Sequence, residues 1–251
     1  MADTNSRRAL PEKPTGEDLR RFYEATYLET NPAILCPETG RKADLLDEIV
    51  DSKTSHGRRI LEIGCGHGVL LDMLARRWNA PLSVGLDLSA TMLRRALAGF
   101  ETSRFVQGDA QRLPFRVGSL DVVYLADALE HLPEPEKALA EIRRAATDLV
   151  CLVPLESGLV SDLHYRWRVW RGKPTNREIY GHLHRFRLHH VVRLLQAAGF
   201  GIVRQRLIVE PGHPASSLLG RLYQIPQRLT RRFPLLHGRL YGEITFVAWC
   251  R

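Results

Sequence analysis

The sequence predicts an α/β domain built on a mostly parallel sheet, and three observations carry that expectation. First, a short apolar run, Ile60, Leu61 and Ile63, leads into Gly64-Cys65-Gly66-His67-Gly68 and then into a stretch whose Leu70, Leu71, Leu74 and Ala75 share one helical face. Second, from residue 58 to 154 strand-like and helix-like stretches alternate, the pattern of parallel strands joined by crossover helices. Third, the last two strand-like runs, 200–209 and Ile244–Cys250, read as an antiparallel pair that closes a sheet of seven strands.

The 251 residues fit one domain with insertions, and 44% hydrophobic and 25% charged residues are ordinary for a globular chain with a real core. No run approaches the roughly 18 apolar residues that cross a bilayer, and the first fifteen residues lack the apolar centre of a secretion signal, so cytoplasm is the expected location. Cys36, Cys65, Cys151 and Cys250 are scattered, which argues for buried, reduced thiols rather than a disulfide framework or a zinc site. The formal charge of +8 is uneven: residues 1–157 hold 20 basic against 24 acidic side chains, and residues 158–251 hold 16 against 4. Such a basic last third suits phosphate, nucleic acid or a lipid surface, or else reflects a general preference for arginine, since only five of the 36 basic residues are lysines.

Taken in order, residues 1–15 read as a disordered tail. Residues 16–30 read as a first helix, with Leu19, Phe22, Tyr23 and Tyr27 spaced to share a face, broken at Asn31-Pro32. A second helix over 39–52 places Ala43, Leu46, Ile49 and Val50 on one side. The strand at 60–63 ends in glycines at every second position, which let backbone approach a ligand with no Cβ in the way, and the helix that follows offers its positive end to an anion. The spacing is G-x-G-x-G and not the dinucleotide pattern G-x-G-x-x-G, because Val69 stands where its third glycine belongs.

With Glu62 two residues ahead, the whole stretch resembles the first motif, E-x-G-x-G-x-G, of the class I S-adenosylmethionine-dependent methyltransferases, specifically their small-molecule "type 11" domains. The resemblance continues downstream. The strand 82–87 ends in Asp87 about twenty residues past the glycines, where a carboxylate can accept both hydroxyls of a ribose, and Ser89 is a helix N-cap. The strand 104–107 leads to Gly108-Asp109-Ala110-Gln111-Arg112-Leu113-Pro114-Phe115, which matches the family's G-D-A-x-x-L-P-F. The strand 120–125 runs into Ala126-Asp127-Ala128-Leu129-Glu130-His131-Leu132-Pro133, similar to the family's LEHL-P segment. Pro135 opens a helix through Ala138, Leu139, Ile142 and Ala145, and 148–154 is the fifth strand.

The resemblance implies a Rossmann-like seven-stranded sheet, mostly parallel with an antiparallel last strand, and S-adenosyl-L-methionine as cofactor. It assigns cofactor contacts to Glu62, Gly64, Cys65, Gly66, Asp87, Leu88, Asp109, Ala110 and Ala126, with Tyr27 (and its neighbour Tyr23) facing the ligand from a helical cap. Glu62 would hold the methionyl end, Asp109 the adenine amine and the carbonyls near Leu125 and Ala126 the ammonium. Asp127 is placed beside that ammonium as a candidate base, and Asp121 reads as structural.

Residues 155–184, with Tyr165, Trp167, Trp170 and Tyr180 among arginines, show no sustained apolar period and stand where a substrate-facing insertion is expected. His131, His164 and His182 are candidate bases, since histidine titrates near working pH. The His182/His184 pair lacks nearby acidic or cysteine partners, so no metal site is expected. A block at 182–200, "GH…R-F…LL…AGF", loosely resembles the end of many small-molecule members, with a helix over 188–198 capped by Gly199. Residues 216–239 alternate leucines with Arg221, Arg228, Arg231 and Arg232, a basic amphipathic stretch suited to peripheral membrane contact. The expected organisation is thus a tail over 1–15, a helical cap over 16–57, and a domain over 58–251 with insertions at 155–184 and 211–240. The expected function is methyl transfer to a small or lipid-like metabolite at oxygen or carbon. The alternatives are an RNA-directed methyltransferase that uses the basic last third, or a non-catalytic S-adenosylmethionine-binding protein.

Overall fold

The computed structural model describes residues 10–26, 38–50, 55–209, 229–241 and 244–251. Seven strands form one sheet: β1 Arg59–Ile63, β2 Leu82–Asp87, β3 Arg104–Gln107, β4 Leu120–Ala126, β5 Ala146–Leu155, β6 Ile202–Val209 and β7 Ile244–Cys250. Their spatial order is β3-β2-β1-β4-β5-β7-β6, and β7 alone runs against the direction of the other six. The chain builds outward from β1 to β3, then returns to pair β4 on the other side of β1. That reversal opens a crevice between the carboxyl ends of β1 and β4, the place where open α/β sheets bind ligands.

Strand alternation divides the core between two faces. On β4, Val122 and Tyr124 point to one face, where α2 (Glu38–Ile49) and α3 (Val69–Arg77) bring Leu46, Ile49, Leu71 and Leu74. Val123 and Leu125 point to the other, covered by α5 (Pro135–Ala145) and α8 (Leu188–Ala197) through Leu139, Ile142, Val191 and Leu195. These strands are buried on both sides, which explains their continuous apolar runs. The helix α4 (Ala90–Gly99) is capped as expected, Ser89 Oγ accepting from the Met92 amide. At the outer ends of the strands, Asp121 accepts from the Arg59 amide and from both arms of its guanidinium, so its role is to clamp β1 to β4.

Three expectations meet the structure in part. The first helix, α1, spans only Gly16–Arg21 and passes into a wider π-helical turn at Phe22–Thr26; its expected continuation to residue 30, with Tyr27, lies outside the described residues. Residues 155–184, which show no sustained apolar period in sequence, hold two helices: α6 covers Leu159–Trp170 and α7 covers Asn176–Tyr180. In α6, Leu159, Leu163, Trp167 and Trp170 stand at helical spacing, but this stripe faces outward and Val160, Tyr165 and Val169 blur it in sequence. Of the basic amphipathic stretch, 216–228 lies outside the described residues, and its end forms α9, Pro234–Tyr241, with Leu229, Phe233, Leu235 and Leu236 exposed. Among the described residues no helix is long and apolar enough to cross a membrane.

Candidate active site

A cleft of about 810 Å³ opens over the carboxyl ends of β1, β2 and β4. Its floor is the glycine turn after β1. Gly64, Gly66 and Gly68 all hold positive φ (73°, 51° and 76°), the region that favours glycine. What a Cβ would meet separates their roles. At Gly68 it would lie 2.8 Å from the Phe105 ring, and at Gly64 3.2 Å from the Ala128 methyl, so both are needed for packing. At Gly66 it would meet no protein atom within 4 Å and would project into open space; that glycine leaves room for a ligand.

The turn is pinned from behind. The Gly64 and Cys65 amides donate to the Leu86 carbonyl at 2.8 and 3.2 Å, and the Gly66 amide donates to Asp87 Oδ2 at 2.8 Å. Asp87 Oδ1 accepts from the Ser89 amide at 2.8 Å. Each oxygen of Asp87 therefore retains one lone pair for a ligand's hydroxyls. Burial raises the Asp87 pKa, with the amides of Ser89, Gly66 and Leu88 acting against it. Cys65 turns its sulfur inward against the space at Gly85, and burial beside Glu62 and Asp87 pushes its thiol far up, so it fills volume as a neutral group. Further along, Asp109 accepts from the Gln111 amide at 2.9 Å and its side-chain amide at 3.3 Å, and both Asp109 and Ala110 line the cleft.

Glu62 is buried under the turn, where the Tyr124 hydroxyl donates to Oε2 at 3.3 Å. Burial pushes its carboxyl well above the usual range; Tyr124 opposes this, Asp87 adds to it, and Lys42 opposes it. Opposite the turn, Asp127 sits at positive φ (51°) just past β4 and pairs with Lys42 Nζ of α2 at 2.6 Å. Burial works against the Lys42 ammonium, but Asp127, Glu38 and Glu130 more than offset it and raise its pKa.

The inner wall gathers groups from distant parts of the chain. His131 Nδ1 lies 3.2 Å from the Gly181 carbonyl and 2.9 Å from the Tyr23 hydroxyl. A carbonyl only accepts, which places the proton on Nδ1 and the lone pair on Nε2. Burial and the neighbouring His182 hold the His131 pKa down to about 3. His182 stands edge-on to it, ring centres 4.8 Å apart, with Nδ1 2.7 Å from Glu156 Oε1. Glu130, 1% exposed, has no hydrogen-bond partner on either carboxylate oxygen; His131 Nε2, 3.8 Å from Oε1, is too far to bond.

Of the residues singled out in the sequence, Glu62, Gly64, Cys65, Gly66, Asp87, Leu88, Asp109, Ala110, Ala126, His131 and His182 all line this cleft. His164 does not: it lies exposed on α6 with its ring 5.8 Å from Trp167. Tyr27 lies outside the described residues. His184 is not paired with His182, because its Nε2 is 2.8 Å from the Leu132 carbonyl and its ring stacks on Phe186. Sequence reading missed Lys42, Glu130 and Glu156 as site residues. Glu130 had one signal, its place beside His131 in the quoted segment; Lys42 and Glu156 had none.

Residues 61–148 match the sequence profile of a family described as a methyltransferase domain. The matched segment is 88 of the 251 residues. It supplies the glycine turn, Asp87, Asp109, Asp127, Glu130 and His131, while Tyr23, Lys42, Glu156 and His182 come from outside it. The chain is 39% identical over 93 residues to a fatty-acid O-methyltransferase of Mycolicibacterium smegmatis, an alignment that covers 35% of this chain and 33% of that protein. It is 40% identical over 139 residues to a phthiotriol/phenolphthiotriol dimycocerosates methyltransferase of Mycobacterium leprae, covering 51% and 50%. The chain thus spans half or less of the curated relatives it matches. The fold is also that of magnesium protoporphyrin IX methyltransferase from Synechocystis PCC 6803 with bound SAH, at a TM-score of 0.61 and 18% identity over 93% of this chain and 99% of that one.

Proposed function

We propose that this chain transfers a methyl group from S-adenosylmethionine to an oxygen or carbon of a lipid-like acceptor. The observation that carries the reading is one cleft holding acceptors for a ribose diol, an adenine edge and an amino-acid end in line, beside a wall of histidines and carboxylates. The residues fit that cofactor. Asp87 keeps two lone pairs for the hydroxyls, and Asp109 with the Ala110 amide offers an acceptor and a donor to the adenine edge. Asp127 and the Ala126 carbonyl suit an ammonium, and Lys42, whose charge already answers Asp127, suits the carboxylate. Glu62 lies beneath that end, its carboxyl held by the Tyr124 hydroxyl.

The cofactor supplies a methyl on a sulfonium, already electrophilic, so the protein's work is alignment, exclusion of water and, for a hydroxyl acceptor, removal of a proton. His182 is suited to the proton: Glu156 fixes Nδ1–H, which leaves the lone pair on Nε2. His131, with its depressed pKa, is a weak base and serves better to orient the acceptor. A carboxylate acceptor needs no base at all.

The lipid-like class is supported by the activities of the two relatives and by the apolar face of α6 and α9. There Leu159, Leu163, Trp167 and Trp170 stand exposed among Arg166, Arg168 and Arg171, with Phe233, Leu235 and Leu236 exposed on the segment of α9 that packs against α6. Labelled-methyl transfer tests the reading. Label should pass from the cofactor into free fatty acids or long-chain diols presented as dispersed lipid. Label entering RNA instead would establish the RNA-directed alternative. Cofactor binding with no transfer to lipid or to cell extract would leave a binding protein.

A further inference from the structure

Glu130, His131 and His182 present one ligand atom each within 4.8 Å of one another on the cleft wall. We infer that these three side chains form a binding site for a divalent transition metal of the zinc or iron(II) class, held by two imidazoles and one carboxylate. Two imidazoles with a glutamate is an established three-protein-ligand set that leaves a further position open to substrate. Tetrahedral ligands about 2.0–2.1 Å from an ion stand roughly 3.3 Å apart, so the widest separation, at most 4.8 Å, needs to close by up to about 1.5 Å, within the reach of side-chain rotation.

Two independent features point to an ion. The first is Glu130: a carboxylate removed from solvent with both oxygens unpartnered is costly, and a cation is what such a group lacks. The second is the outer arrangement of the imidazoles. Each histidine gives its Nδ1 to a fixed acceptor, His131 to the Gly181 carbonyl and His182 to Glu156, so each leaves Nε2 for the site. That is how metal-bound histidines are held: a carboxylate or carbonyl on the far nitrogen fixes tautomer and ring orientation. Lys42 is committed to Asp127 at 2.6 Å and makes no contact with either carboxylate oxygen of Glu130.

Ion binding stands on these residues alone. Its use rests on the proposed methyl transfer: the ion would hold an acceptor hydroxyl or carboxylate in its open position and favour the ionised oxygen, with the two histidines acting as ligands rather than bases.

The test uses the purified chain, stripped with a chelator and titrated with Zn²⁺ by calorimetry and with Co²⁺ by visible absorption. One ion should bind per chain, with the intense visible bands of low-coordinate Co²⁺. Glu130→Gln and His182→Ala should each weaken Zn²⁺ at least 100-fold, and Glu156→Gln, which removes only the outer partner, by about 10–100-fold. The His189→Ala/His190→Ala variant, altering an exposed pair with rings 4.1 Å apart, should bind as the parent does. No uptake, uptake indifferent to Glu130, His182 and Glu156, or uptake lost with His189 and His190 would overturn the assignment. Should Glu130→Gln fail to fold, His182→Ala and Glu156→Gln read the same site. S-adenosylhomocysteine binding, measured on the metal-free parent, judges the methyl-transfer reading separately.

Discussion

Asp87→Ala provides the sharpest test of the cofactor reading, because the structure shows what its carboxylate is already committed to. Two of its lone pairs are filled by the Gly66 and Ser89 amides at 2.8 Å each, and two remain for a ribose diol. A hydrogen bond to a charged group contributes about 1.5–3 kcal/mol net. Taking the lower end for each of two bonds, since water enters the emptied space, gives about 3 kcal/mol, or roughly 150-fold weaker binding. The same substitution strips an acceptor from two loop amides, which should lower stability by about 2 kcal/mol and the melting temperature by roughly 4–8 °C. Both effects are read on one preparation: calorimetry with S-adenosylhomocysteine well below the transition, and a thermal melt. An affinity within threefold of the parent would refute the reasoning, because the carboxylate would then have no hydroxyl partner. A lowered melt with unchanged affinity would leave Asp87 as a loop fastener only.

Further outcomes follow from other parts of the cleft. Gly66→Ala and Gly68→Ala should separate: the first, whose Cβ meets only open cleft, should abolish cofactor binding at a folding cost of about 1–2 kcal/mol, while the second collides with Phe105 and should lose more stability. Melting curves and ligand titration of the pair check this. Glu62→Gln should stabilise the ligand-free protein at pH 8. The parent's carboxyl has its pKa raised by burial, so the native state holds more protons than the unfolded chain once pH passes the ordinary 4.5, and stability falls as pH rises from there to the folded pKa. The difference should amount to about 1.4 kcal/mol for each unit between the two values and vanish below pH 4.5; parallel melts at pH 4 and pH 8 would show it or rule it out. For the apolar face, Leu163→Ser with Trp170→Ser should reduce co-sedimentation with anionic vesicles severalfold without changing S-adenosylhomocysteine affinity, since neither residue lines the cleft. Equal sedimentation of parent and variant would remove the lipid surface from the proposal.

What the sequence determined by itself was the half of the protein written in local chemistry. Buried parallel strands must be continuous apolar runs, a close-approach turn must be glycine, and a ribose or adenine acceptor must be a carboxylate at a strand end. Ile60 to Gly68, Asp87 and Asp109 announce themselves within a few residues, and the structure brings them to one cleft. Ser89 was equally legible, because a helix cap acts only on amides two and three positions away. The α6 helix was not, since its apolar stripe faces outward and its register is masked by neighbouring apolar residues. Nor was the assembly of the inner wall, although His131 and His182 were each singled out. Lys42, Glu130, Glu156 and His182 are separated by up to 140 positions, and no periodicity links them. Only the chain's return from β3 to β4, and the path of residues 156–182 back over the cleft, set Glu156 on His182 and His182 against His131. Contacts of that kind are decided by where the folded sheet ends, and tertiary packing alone decides that.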